Sequence, residues 1–169
     1  MKETILTSSY KSPFGVYVMS SDGQSLIGLH YTKSQDDAYF PNHPVFTETR
    51  RWLDLYFSGE KPGFLPPLHP HGTPFQLKVW HELLTIPYGQ TTSYGEIARR
   101  LQCRSAQAIG QAVHRNPIAI IIPCHRVIGA NGSLVGYASG LEVKKRLLDI
   151  EKASIEKTSK SGKIGQRCN

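Results

Sequence analysis

Apolar and polar positions alternate along Phe14-Gly-Val-Tyr-Val-Met19, and again along Ser25–Tyr31. A period of two puts one set of side chains on a buried sheet face, and the intervening Ser20-Ser-Asp-Gly23 is turn chemistry, so the pair predicts a hairpin. From Phe46 to Phe57 the period lengthens. Leu53, Tyr56 and Phe57 share one face of a predicted helix that Thr47 can cap. The Pro- and Gly-dense stretch from Ser58 to Pro74 predicts a linker. Phe75, Val79, Trp80, Leu83 and Leu84 then recur at helical spacing, and Ile86–Gln90 reads as a turn. Ser93, with Glu96 three residues on, predicts a capping box that opens a helix through Ile97, Ala98 and Leu101. Cys103 and Arg104 interrupt it, and a second short helix rich in Ala and Gly is predicted over Ser105–Val113. Two short helices tightly joined outline a helix-turn-helix, although small residues also suit a close helix contact inside a core. The β-branched run Ile118–Ile122 predicts a buried strand ending at Pro123. A last helix is predicted from Leu141 to about Ala153, followed by a polar, aperiodic tail expected to be disordered.

These elements group into two lobes of an α+β chain. The first, residues 1–72, is a small α/β lobe with an antiparallel sheet, closing with the linker. The second, 73–153, is helical and carries the helix-turn-helix, and 154–169 forms a basic tail. Charge follows the same division. Met1 to Gly72 holds 6 Lys+Arg against 7 Asp+Glu, whereas Thr73 to Asn169 holds 14 against 6. A basic half beside a near-neutral one suits a polyanion partner. The longest aliphatic run is far too short to span a membrane, and the N-terminal segment has no signal-peptide core. Three scattered cysteines argue against a disulfide framework and for a reducing, cytoplasmic setting.

The candidate chemistry centres on Cys124. It has His125 and Arg126 as neighbours, two groups able to favour the nucleophilic thiolate. Adjacent residues on an extended strand point apart, so the Cys–His pair requires a bend after Pro123. Glu151 lies four residues after Leu147 and three after Leu148, near the apolar side of the last helix, where a carboxylate needs a partner such as an imidazole. Glu142 is the poorer choice, because an acid in the first turn favours the helix dipole.

The stretch IPCHRVIG, preceded by Asn116-Pro117 and followed by GSLVGYASGLEVKKRLLDIE, resembles the O6-alkylguanine-DNA alkyltransferases, also called methylated-DNA–protein-cysteine methyltransferases. So does PFQLKVWHELLTIPYGQTTSYGEIA, and together the matches cover about Thr73 to Lys152. The first lobe resembles that family only loosely. The resemblance implies a ribonuclease H-like first lobe and a suicidal DNA-repair methyltransferase. Such a protein moves the alkyl group of O6-alkylguanine, and of O4-methylthymine, onto its own cysteine once. Cys124 would be the acceptor, His125 the base acting through a water, Glu151 its orienting carboxylate, and Asn116 the brace of the turn before the active site. Tyr94 would rotate the target nucleotide and bond the flipped guanine. The Val127 and Cys124 carbonyls would receive the guanine amine, and Tyr137 and Ala138 would lie on the loop closing the pocket.

The Ser105–Val113 helix would enter the DNA minor groove, with Arg104 and Arg115 on phosphates. Relatives often carry an intercalating Arg two residues after the position of Ser105, where this chain has Gln107. Family zinc sites use Cys and His of the first lobe. This lobe has no Cys, and its histidines show no ligand spacing, so neither metal nor cofactor is expected. The expected partner is double-stranded DNA bound by a monomer, with no membrane. A thiol hydrolase, a damage-binding relative without the acceptor thiol, and a helix-turn-helix regulator are the competing readings. Cys124 within an intact PCHRV weighs against the second of these.

Overall fold

The computed structural model describes residues 4–33 and 42–165, with side chains to residue 160. The first lobe is a three-stranded antiparallel sheet of β1 (Leu6–Ser12), β2 (Gly15–Ser21) and β3 (Leu26–Thr32), in that order, covered by helix α1 (Pro44–Phe57). The expected hairpin is β2 and β3. β1 has no counterpart in the sequence reading, because its LTSSYKS is mostly polar and it buries only Ser8 at the sheet edge. Tyr17, Met19, Leu26 and Leu29 pack under Phe46, Leu53 and Tyr56 of α1 to make the lobe's core. Thr47 does not cap α1. Pro44 begins the helix one residue after the N-cap His43, its fixed φ suited to the first turn, and the Thr47 hydroxyl instead donates back to the His43 carbonyl oxygen.

The linker is irregular but anchored. The Leu26 N–H donates to Pro67 O at 2.7 Å, and the His69 N–H donates to Leu26 O at 2.9 Å. It leads to α2 (Pro74–Leu83), whose start is a reciprocal capping box between Thr73 and Gln76. α3 (Tyr94–Arg100) and α4 (Ala106–His114) form the helix-turn-helix. Ser93 caps α3 by accepting from the Glu96 N–H, but the Glu96 carboxylate turns to Arg99 and Arg100, so the expected box is only half made. Ser105 caps α4, and the Trp80 indole N–H donates to Ala112 O at 2.8 Å, tying α2 to α4. Short parallel strands β4 (Thr92–Ser93) and β5 (Val127–Ile128) join the helix-turn-helix to the segment after Cys124.

Two expectations are corrected. Ile118–Ile122 is not a strand. Its residues are buried, yet the run folds as a turn between Pro117 and Pro123, with Ile120 at φ +68°. Prolines at both flanks remove ladder donors, and the Asn116 side chain holds the turn closed. Only Ile118 bridges a strand: the Leu29 N–H donates to Pro117 O and the Ala119 N–H donates to Leu29 O, each at 2.8 Å. The last helix, α5, does not end near Ala153. It runs from Leu141 to Gly165, so the segment from Ser154 that was expected to be disordered is helical that far. Ile155 of this extension is 40% exposed and touches Gly89. Its side chain lies over Gly89, where a Cβ would approach it to 1.9 Å.

Candidate active site

Pro123 ends the Ile118–Ile122 turn, and Cys124–Arg126 form one turn of 3-10 helix. That turn is the required bend: it frees Cys124 and His125 from the opposite-face geometry of a strand. All three side chains are buried. On α5, Val143, Leu147 and Glu151 recur every four residues along the side facing this turn, and all are buried. The sequence preference for Glu151 over the exposed Glu142 thus agrees with the geometry.

Glu151 is the hub. Its Oε2 receives His125 Nε2 and, at 2.7 Å, the Tyr56 hydroxyl. Its Oε1 receives Arg126 Nε at 2.7 Å and the Gly89 N–H at 2.9 Å. Burial works to raise this carboxyl, but the hydrogen bond and charge of His125, the Arg126 guanidinium and the Tyr56 hydroxyl together bring it down to about 2. An ionised carboxylate only accepts, so His125 donates through Nε2–H and its Nδ1 holds the lone pair. That Nδ1 is buried and has no hydrogen-bond partner among the described residues. Burial pulls the imidazole below its ordinary range despite Glu151, which keeps it neutral and able to take a proton.

Burial also pushes the Cys124 thiol up, while Asn116, the Lys144 charge and Tyr137 act in the opposite direction. The cation beside the sulfur is therefore Lys144 and not the sequence neighbour Arg126, which turns away to Glu151 and to Ile86 O at 2.8 Å. Sequence reading missed both Lys144 and Tyr56. The helical pattern marks each as a position on an inward face, but only the fold brings them to the turn at Cys124–Arg126. Lys144 donates to Val127 O at 2.6 Å and Val135 O at 2.9 Å, which occupies part of the Val127 carbonyl expected to receive guanine.

Cys124 faces a cavity of about 90 Å³ whose wall includes Tyr31, Val113, Asn116, Tyr137 and Ala138. The first lobe therefore supplies part of the pocket, which the sequence reading did not foresee. Tyr94 does not line this cavity but lies near it. Its hydroxyl donates to Val135 O at 3.2 Å, and burial followed by the nearby Cys124 keeps it above its ordinary range. Asn116 braces the turn, with Nδ2 donating to Ile122 O and Oδ1 accepting from the Ile118 N–H. Arg104, Ser105, Gln107 and Arg115 lie outside the pocket, exposed at the two ends of α4. α4 buries Ile109, Ala112 and Val113 and exposes small or polar residues, so its backbone can approach another surface closely.

Asp22, His69 and His71 come together on the first lobe, their ligand atoms within 4.8 Å of one another, although sequence spacing showed no such grouping. Both histidines are exposed, and Asp22 Oδ1 already accepts the Gln24 and Ser25 N–H groups. His69 Nδ1 in turn lies 3.3 Å from Asp22 Oδ2, so the grouping also stands as a hydrogen bond beside an Asx-type turn.

A pocketed thiol, a neutral imidazole and an ionised carboxylate stand beside a helix-turn-helix, an arrangement suited to nucleophilic thiol chemistry next to a surface able to meet nucleic acid. Family models give the class its name. Residues 74–153 match the 6-O-methylguanine DNA methyltransferase DNA-binding domain, and residues 5–70 match the ribonuclease-like domain of the same family. The chain belongs to the 6-O-methylguanine DNA methyltransferase family. It is 45% identical over 148 residues to a methylated-DNA–protein-cysteine methyltransferase of Methanosarcina acetivorans, covering 84% of this chain and 95% of that one. A protein of the same name from Mycobacterium leprae is 45% identical over 152 residues, covering 87% and 92%. The solved Mycobacterium tuberculosis O6-methylguanine methyltransferase superposes with a TM-score of 0.80 at 40% identity, covering 89% of this chain and 94% of that one. The M. tuberculosis protein is also known in complex with DNA, where the TM-score is 0.79 at 42% identity over 88% and 93% of the two chains. Among the described residues no helix is long and apolar enough to cross a membrane.

Proposed function

We propose that this protein repairs alkylated DNA by moving the alkyl group of O6-alkylguanine, and of O4-methylthymine, irreversibly onto Cys124. The observation that carries the reading is Cys124 on the wall of the pocket, followed in the same turn by the buried His125, whose imidazole bonds the buried Glu151. Residues 73–153 form the DNA-binding and acceptor domain. The exposed face of α4 enters the minor groove, Arg104 and Arg115 meet phosphates, and Ser105 and Gln107 lie at the base being extruded. Tyr94 rotates the target nucleotide, the Val127 carbonyl receives the guanine amine beside Lys144, and Tyr137 and Ala138 close the pocket. The protein acts as a cytoplasmic monomer.

His125 Nδ1 takes the thiol proton, relayed by water, and Glu151 steadies the imidazolium that results. The sulfur electron pair attacks the alkyl carbon in line. The carbon–O6 bond breaks, its electrons return to the guanine oxygen, and the base regains a proton. The product thioether has no neighbouring group able to hydrolyse it, so each molecule acts once. Incubation with duplex DNA carrying labelled O6-methylguanine, followed by peptide mass mapping, tests this. One methyl group on Cys124 per repaired base is expected, and label on Cys103 or Cys168, or repeated turnover, refutes it.

A further inference from the structure

Glu151 is gripped from two sides. The second lobe holds Oε1 through Arg126 and the Gly89 N–H, whereas Oε2, the oxygen that faces the base, is shared between His125 and a residue of the first lobe. That residue is Tyr56, on the buried face of α1, 95 positions away in the chain. Its ring is clamped by Trp52, stacked at 5.3 Å, and meets Tyr88 and His125 edge-on at 6.2 and 6.3 Å. Its hydroxyl lies 3.3 Å from His125 Nε2. Burial, then the Glu151 charge, holds the phenol well above its ordinary range, so it serves as a permanent donor.

We propose that Tyr56 is a positioning residue for alkyl transfer: by donating to Glu151 Oε2 beside His125, it orients the carboxylate and limits the negative charge felt by the imidazole. The inference rests on the reading of Cys124 as alkyl acceptor. Among the described residues the groups acting on His125 are Glu151 and Lys144 of α5, Arg126 of its own turn and the Tyr56 hydroxyl, with Tyr88 facing Tyr56 and Tyr137 facing Cys124 and Glu151. Arg126 and Lys144 oppose protonation of the imidazole, and Glu151 favours it. Without the Tyr56 hydroxyl, Oε2 bears fully on Nε2–H and the imidazole becomes more basic. His125 then fills with a proton at a higher pH, where it can no longer take one from the thiol.

The test is Tyr56→Phe in the full chain, which keeps the ring packing. Two pH profiles are read: single-turnover methyl transfer from duplex O6-methylguanine, and alkylation of Cys124 by iodoacetamide, followed peptide by peptide. Transfer should slow by about tenfold at neutral pH. The acid limb of both profiles should move up by roughly half a unit or more, with duplex affinity unchanged. Incorporating 3-fluorotyrosine at position 56, which retains the donor, should leave the limb where the wild type has it. A variant that melts earlier but keeps the wild-type limb overturns the proposal, as does one that leaves rate and limb both unchanged. If wild-type protein takes no methyl from DNA, the proposed function fails, while the iodoacetamide profile still decides the part played by Tyr56.

Discussion

The Asn116 side-chain amide donates to the Ile122 carbonyl oxygen at 2.8 Å, closing a ring of backbone that ends two residues before Cys124. The same side chain accepts from the Ile118 N–H at 3.0 Å. It thereby holds a turn whose centre, Ile120, has an unfavourable positive φ for a β-branched residue. Asn116→Ala should destabilise the fold by about 1–3 kcal/mol, the cost of leaving the buried Ile118 N–H without its partner and the Ile122 carbonyl with the Cys124 N–H alone. It should also slow methyl transfer, because the turn that aims Cys124 is loosened. Urea unfolding and single-turnover rates check the two effects separately.

The buried His125–Glu151 pair sets an acid limb on stability. Burial lowers the imidazole and keeps it neutral in the fold, so an unfolded chain binds the proton more readily below the ordinary histidine range of about 6.5. Glu151 is held down to about 2, so its contribution is present above the ordinary carboxylate range and is lost as pH falls toward that value. Both groups bind more protons unfolded than folded, and stability should therefore decline as pH drops from about 6.5. His125→Asn should flatten the upper part of this decline, and Glu151→Gln the lower part. Glu151→Gln also removes the charge facing Arg126, and should cost on the order of 3 kcal/mol at neutral pH. Thermal midpoints across pH read each limb.

His125 and Glu151 should also act as one unit in the reaction. If Glu151 works through His125, the double replacement slows transfer little more than either single one. Losses that add in the logarithm of the rate would show independent action.

Much of this was legible in the sequence because it is local. The Ser93 cap (though not the Glu96 half of its box), the small-residue helix after Ser105 and the four-residue step from Leu147 to Glu151 are all short-range patterns. What escaped depends on distant partners. Ile118–Ile122 has a strand's composition, but two flanking prolines and one asparagine make it a turn. β1 is polar and reads as a loop until β2 pairs with it. The part of α5 beyond Ala153 carries almost no periodic apolar signal, and Ile155 finds its seat only once Gly89 is in place. Tyr56 reads as an ordinary core aromatic, since nothing near it in the chain announces a carboxylate.

Gln107 tests how the duplex is opened. It is exposed in the first turn of α4, where, on the proposed function, its flat amide would reach the gap left by an extruded base and bond the orphaned partner. Gln107→Ala should slow repair of duplex DNA strongly and leave reaction with the free alkylated base unchanged. Equal slowing on both substrates would place Gln107 in the pocket or the fold. Gln107→Arg should be tolerated and should steepen the salt dependence.

Binding should be electrostatic and nearly independent of sequence. On a log–log salt plot the affinity should fall linearly, by about 0.9 in slope for each duplex phosphate neutralised. A flat plot would assign the positive half of the chain to something else. Cutting after Ala153 should lower the slope only modestly, and should lower the melting temperature by removing Ile155 from Gly89.

Two family models divide the chain near residue 72, as if it were two exchangeable parts. The pair of main-chain bonds between Leu29 and the Pro117–Ala119 turn argues otherwise for its energetics. A second lobe grafted elsewhere without the first would expose the Pro117 carbonyl and the Ala119 N–H on the edge of the turn that leads into the thiol's own turn. Heating should therefore release both segments in a single calorimetric transition, with equal van't Hoff and calorimetric enthalpies. Modularity here belongs to ancestry and not to stability: recombination that swaps one half must bring a strand able to close that backbone pair, or lose the nucleophile's setting with it.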